Sequence, residues 1–195
     1  MPSAPSIRIL KEELLSDDWA VLKKTTFDYL RRDGSWSKQV RQTFDRGDGA
    51  AVLPYDASRG AVLLVRQFRY PAYVHGHPEP LIEVCAGVLD ADDPETCARK
   101  EAEEELGYRL GALTKVFDCF MSPGAVTERL SLFVAPYRPE DRFSDGGGHA
   151  DEGEDIEVLE MSLAAALAMV GRGEIIDAKT IMLLQHAKLA GLVEG

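Results

Sequence analysis

Several absences narrow the possibilities before any motif is read. No apolar run approaches the length of a membrane span, and the N-terminus lacks the charged-then-apolar layout of a secretory signal, so the expectation is a cytoplasmic protein with no membrane partner. Cysteine is scarce: Cys85, Cys97 and Cys119 make an odd number without metal-ligand spacing, which points to reduced structural thiols and not to disulfides. Basic residues are outnumbered, with 22 Lys and Arg against 33 Asp and Glu, and the resulting net charge of -11 argues against nucleic acid as a partner. Small phosphorylated ligands are repelled by the same field. An anionic substrate has to be received locally, by metal ions and a few arginines acting within the screening length. No internal repeat or low-complexity tract occurs. The hydrophobic fraction of 45% is ordinary for a globular chain, and 195 residues suffice for one domain with a real core plus a small extension.

The stretch Gly87 to Gly107 organises the rest. Asp93-Pro94 is a helix start, an N-cap followed by proline where its missing N–H is harmless, and Gly107 is a helix stop. Ala98, Ala102 and Leu106 recur at four-residue spacing and form an apolar stripe. Glu101, Glu104 and Glu105 crowd one side of the last two turns. The i, i+4 pairs Arg99–Glu103 and Lys100–Glu104 contribute only about 0.2–0.5 kcal/mol each, too little to neutralise three neighbouring carboxylates at the wrong end of a helix dipole. Two readings follow: a divalent cation such as Mg2+ sits among the acids, or they form a solvated acidic face.

The rest of the chain reads in order. Lys11 to Leu15 is charged, weakly amphipathic and too short to assign. Trp19 to Phe44 is strand-like and broken by the Asp33-Gly34 turn signal, which predicts a hairpin. Trp19 and Trp36 read as packing residues or as ligand platforms. The polar break 45–49 separates this N-terminal β extension, residues 1–47, from a main domain, residues 48–195. Strands are expected at 50–54, 61–67, 81–86, 113–121, 130–135 and 156–159, and helices at 162–170 and 177–192, the last two capped by Ser162 and Asp177. Arg66 and Arg69 at a strand end are phosphate clamps or surface charges. His75-Gly-His77 lacks the partners of a metal site. Glu83, in an apolar strand, needs a partner or a metal. Glu128, on a loop, takes a proton from water or is an exposed charge. The Gly-rich, acidic stretch 141–155 reads as a mobile flap.

Gly87 to Tyr108 resembles the Nudix box, whose pattern is Gly, five residues, Glu, seven residues, then Arg-Glu-hydrophobic-any-Glu-Glu-any-Gly-hydrophobic. Lys100 to Tyr108 matches the second half, with Lys in place of Arg; the first half has Asp93 where Glu is usual and is one residue short. Arg66-Gln-Phe-Arg69, Glu83-Val-Cys-Ala-Gly87, Met121-Ser-Pro-Gly124, Thr127-Glu128, Glu154 to Val158 and the run from Gly173 through Asp177-Ala-Lys179-Thr extend the likeness to the ADP-ribose pyrophosphatase branch, and within it to the group that hydrolyses GDP-mannose. The resemblance implies an α/β protein, a Nudix α/β/α sandwich around a mixed sheet with an N-terminal β-hairpin extension, and a homodimer that exchanges N-terminal strands. It implies Mg2+, with Mn2+ as a substitute, held by the Ala86 carbonyl, Glu101, Glu105 and Glu154. Glu104, Glu105 and Glu128 are the catalytic positions it implies, Glu128 orienting or activating water; Trp19, Arg41, Arg69, Glu128 and Lys179 receive substrate, with Trp19 standing where the family has tyrosine. The implied reaction splits the diphosphate of a nucleoside diphosphate sugar, GDP-mannose giving GMP and mannose 1-phosphate. ADP-ribose hydrolysis and a non-catalytic nucleotide-sugar sensor are the alternatives, and a sensor gains little from keeping a self-repelling acid cluster.

Overall fold

The structure is a computed structural model that describes residues 6–149, 151 and 153–193. Glu152 of the acidic run expected at 151–155, and the ends of both expected domains, lie outside the described residues. The chain divides into two compact units, Met1–Asp48 with Phe120–Glu128, and Gly49–Cys119 with Arg129–Gly195.

The first unit is a three-stranded antiparallel sheet of β1 (Ile7–Asp17), β2 (Val21–Leu30) and β3 (Trp36–Asp45). The Asp33-Gly34 signal does join β2 to β3: Gly34 has φ +83°, and Asp33 Oδ1 accepts from the Ser35 N–H at 2.9 Å. The stretch around Lys11 to Leu15, too short to assign from sequence, lies in β1. Its pairing with β2 shifts register between Ile9 and Lys11 and between Leu14 and Ser16, which breaks the alternation that marks a strand. None of the residues of these three strands is buried, and Ile7, Ile9, Leu10, Leu14, Leu15 and Val40 are exposed. In the same unit the loop 122–127 lies beside β3, the Phe44 N–H donating to the Ala125 carbonyl and the Thr127 N–H to the Phe44 carbonyl.

The second unit holds a seven-stranded mixed sheet. Its strands are β4 (Gly49–Asp56), β5 (Ala61–Gln67), β6 (Leu81–Glu83), β7 (Cys85–Val88), β8 (Thr114–Phe120), β9 (Arg129–Pro136) and β10 (Glu157–Ser162), with the order β10-β5-β4-β9-β8 along the main path. β4 and β9 run parallel, whereas β10 with β5, β4 with β5, β4 with β7 and β5 with β6 are antiparallel. β4 and β5 pair only at Tyr55–Val62 and Asp56–Ala61, and then diverge. Into the gap runs the segment 81–88, first paired to β5 as β6 and then to β4 as β7. Val84 is the crossing point, and its N–H, outside both ladders, donates to Thr180 Oγ1 at 2.8 Å.

Among the described residues four α-helices complete the unit: the short α1 (Tyr70–Val74), α2 (Pro94–Glu101), α3 (Leu163–Arg172) and α4 (Ala178–Leu189). The central strands β4, β5 and β9 are buried on both faces, as strands covered by helices must be, whereas the edge strands β8 and β10 are not. Ala50, Val52, Leu63, Val65 and Cys85 pack with Cys97 and Ala98 of α2 and with Ala102 and Leu106 beyond it. Ala51, Leu53, Leu132 and Val134, their alternates, are equally buried, and α4, which packs on β4, β6 and β9, brings Leu183, Leu184 and Ala187. Ser162 and Asp177 cap α3 and α4 through the N–H groups of Ala165 and Thr180. Cys85 and Cys97 are buried thiols and Cys119 a half-buried one, and none of the three is in a disulfide. No helix among the described residues is long and apolar enough to cross a membrane.

Candidate active site

The organising helix begins as its first residues dictate. Asp93 accepts from the Glu95 and Thr96 N–H groups at 3.0 and 3.1 Å, and Pro94 occupies the first turn. So the residue that departs from the Nudix pattern is a helix cap. Beyond Glu101 the backbone changes: Ala102–Leu106 is a π-turn, ended by Gly107 at φ +75°. The widened turn removes the expected i, i+4 pairs. Arg99 instead bridges Glu95 and the carbonyls of Leu110 and Gly111, and Lys100 pairs with Asp92.

The three carboxylates take different places. Glu105 turns into the core at 2% exposure, where its carboxylate accepts from the Ala86 N–H at 3.3 Å and meets the Cys85 thiol. Burial, reinforced by the charges of Glu101 and Glu154, pushes its pKa from 4.5 up to about 8. Glu101 lies over Gly87 so closely that a Cβ there would stand 1.8 Å from its Oε1, which explains the glycine. Glu104 points outward, its Oε1 3.4 Å from His149 Nε2.

The Gly-rich segment, expected as a mobile flap, is stitched to the π-turn. The Gly147 and Gly148 N–H groups donate to the carbonyls of Glu105 and Glu104 at 2.9 and 3.1 Å, satisfying helix-end acceptors. Gly148 has φ +73°, and a Cβ on it would lie 2.3 Å from Glu154 Oε2. That carboxylate also accepts from the His149 N–H at 2.9 Å. Among the described residues, no set of three His, Cys, Asp or Glu side chains stands at the spacing of a formed metal cage. The donor set nevertheless suits a hard divalent ion: one carboxylate is sunk in the core with a single backbone N–H on it and two more carboxylates raise its proton affinity, a field that a cation relieves.

Beside these acids is a cationic pair. Arg69 Nε donates to Glu83 Oε1 at 2.7 Å, and Lys179 Nζ reaches Glu83 Oε2 and, at 3.0 Å, Asp177 Oδ1. Burial alone lifts the Glu83 carboxyl, but Lys179 and Arg69 outweigh it and hold the pKa below the ordinary range. Arg66, the other clamp candidate, is paired with Glu157 of β10 at 2.6 Å. Glu83 thus has cation partners, which answers the need read from its apolar strand.

The first unit carries the remaining candidates. Trp19 is 71% exposed, with the Arg46 guanidinium 4.2 Å from its ring centroid. Arg41 Nη1 donates to its neighbour's carbonyl, Val40 O, at 2.8 Å. Arg41, Gln42 and Thr43 line a cleft of about 620 Å³ with Phe120 and the loop from Pro123 to Thr127; Glu128 follows that loop. Sequence reasoning passed over Arg46, Cys85, His149 and Asp177's second role. Only Asp177 carried a signal, as a cap, and its ion pair with Lys179 two residues on was within reach.

Comparison with known proteins decides the family. Residues 45–184 match the NUDIX domain, and residues 6–44 match the family described as the GDP-mannose pyrophosphatase NudK N-terminal domain. The chain belongs to the Nudix family. Among its curated Nudix relatives is the GDP-mannose pyrophosphatase of Pectobacterium atrosepticum, 51% identical over 186 residues, which is 95% of each chain. The enzymes of the same name from Cronobacter sakazakii and Klebsiella pneumoniae are each 48% identical, covering 97% of this chain and 98% and 96% of their own. The expected Nudix membership and α/β class with a mixed sheet are thereby borne out, although the N-terminal element has three strands, not a hairpin's two.

Proposed function

We propose that this Nudix protein hydrolyses GDP-mannose to GMP and mannose 1-phosphate, with Mg2+ or Mn2+ as the resident ion. The observation that carries the reading is the buried Glu105 carboxylate, held at high proton affinity by burial and by Glu101 and Glu154. The substrate is supported by near-complete alignment with proteins named for that activity. Glu101, Glu105, Glu154 and the Ala86 carbonyl would hold the ion. When bound, it would withdraw charge from the diphosphate and make a water more acidic. Arg69 and Lys179 receive the phosphates, and Trp19 and Arg41 the nucleoside. Glu128 takes a proton from the attacking water, whose oxygen bonds to one phosphorus as the bridging P–O bond breaks and the other phosphate leaves. Glu104 serves the reaction by tethering His149.

Residues 1–47 act as the dimerisation and substrate-contact extension and residues 48–195 as the hydrolase domain. A second copy covers the apolar side chains of β1 and β3, because such a three-stranded sheet buries none of its own residues. Thiols outside any disulfide suit the cytoplasm. Phosphate-ester products from GDP-mannose, ADP-ribose and ADP-glucose, measured with Mg2+ and with EDTA, test the reading. GDP-mannose as the best substrate, silent in EDTA, is the expected result; faster ADP-ribose cleavage or no turnover at all overturns it.

A further inference from the structure

Glu83 is a buried carboxylate, 3% exposed, that no part of the hydrolytic reading uses. We propose that it is a positioning residue for the diphosphate, holding Arg69 and Lys179 on one carboxylate so that both cations meet the same anion. The proposal rests on the reading that Arg69 and Lys179 receive substrate.

The geometry supports positioning over support of the fold. Arg69 spends one edge of its guanidinium on Glu83, Nε at 2.7 Å and Nη2 at 3.4 Å from its two oxygens. The side chain remains 40% exposed, and Nη1 faces away from that bond pair, so a planar fork stays available for a second anion. A guanidinium pinned along one edge has lost its rotational freedom before the ligand arrives. Lys179, 11% exposed, contacts Glu83 and Asp177, which engages two of its three donors. The two cations and two carboxylates cancel, so this cluster attracts a diphosphate by donor placement and not by surplus charge.

Glu83 is itself braced. Asp177 Oδ2 accepts from Thr180 N and Oγ1 at 3.0 and 2.6 Å, and Thr180 Oγ1 accepts from the Val84 N–H, one residue beyond Glu83. The chain of contacts therefore closes on the crossing strand that carries Ala86. Buried ion pairs of this kind add little to stability compared with packed aliphatic side chains, which makes a purely structural account of the cluster weak.

Steady-state kinetics on the full chain with GDP-mannose and Mg2+ test the proposal in wild type, Glu83→Gln, Glu83→Asp, Arg69→Ala and the Arg69→Ala/Glu83→Gln double variant. Glu83→Gln should raise KM at least about tenfold with a smaller change in kcat, and Glu83→Asp should recover part of the loss. In the Arg69→Ala background Glu83→Gln should cost less than it does in wild type, because of the two cations that Glu83 holds only Lys179 is then left. A raised KM for Arg69→Ala beside an unchanged KM for Glu83→Gln overturns this proposal alone, as does full additivity of the two. An unchanged KM for Arg69→Ala removes the clamp reading and this proposal with it. If Glu83→Gln does not melt cooperatively, Glu83→Asp decides: a raised KM at wild-type melting temperature supports positioning, and an unchanged KM overturns it.

Discussion

Replacing Glu105 by glutamine removes an ionisable group and little else, since the amide keeps the size and an oxygen for the Ala86 N–H. In the native chain the carboxyl titrates at about 8 against 4.5 for the free side chain. Between those values the native state holds a proton that the unfolded chain has released, so stability falls as pH rises. The loss amounts to about 3 kcal/mol near pH 7 and about 5 kcal/mol above pH 9. Glutamine escapes it entirely. For a chain of this size, each kcal/mol moves the melting temperature by about 2–4 °C. In EDTA near pH 9, Glu105→Gln should therefore melt about 10 °C or more above wild type, and the two curves should converge near pH 5. Adding Mg2+ narrows the gap: saturation at about a hundredfold over Kd stabilises wild type by about 2.7 kcal/mol, about half of its deficit at pH 9 and nearly all of it near pH 7, and the variant gains little. Calorimetric or fluorescence melts across pH, with EDTA and with Mg2+, supply the measurement. A pH-independent gap, or a variant less stable than wild type in EDTA at high pH, would refute the reasoning.

Further outcomes follow from contacts already described. Gly87→Ala places a methyl where Glu101 Oε1 now sits, so Mg2+-dependent turnover should fall about a hundredfold while the melting temperature changes little. Thr180→Val strands the buried Val84 N–H and removes one of the two hydrogen bonds that Asp177 Oδ2 accepts, and denaturant titration should show a loss of about 1–3 kcal/mol. Glu83 has a depressed pKa, so its stabilisation is full above the ordinary carboxylate range and disappears as pH falls through the lowered value; acid titration of Glu83→Gln should show a flatter unfolding limb than wild type.

What could be read from the sequence was what neighbouring residues settle among themselves. Asp93-Pro94, Gly107, Asp33-Gly34, Ser162 and Asp177 act within a turn of where they sit, and each does in the structure what its chemistry demands. Features that need a distant partner were not legible. β1 hides its pattern behind two register shifts and becomes a strand only against β2. The π-turn is held by the Gly147 and Gly148 N–H groups, some forty residues on, and that extra width redirects Arg99 and Lys100. Lys179 reaches Glu83 across 96 residues, a contact no local spacing announces.

The widened turn at Ala102–Leu106 also says something about how such a chain tolerates change in length. A π-turn is an α-helical turn with one residue to spare, so deleting a single residue there would let the backbone relax into regular helix without breaking it. Because the wide turn already absorbs that residue, the side chains beyond it would keep their facing, whereas the same deletion in the regular helix ahead of it would turn them by about 100° about the axis. Glu105 would then stay in the interior. The widened turn is for that reason the place along this helix where a one-codon loss should disturb the acid cluster least.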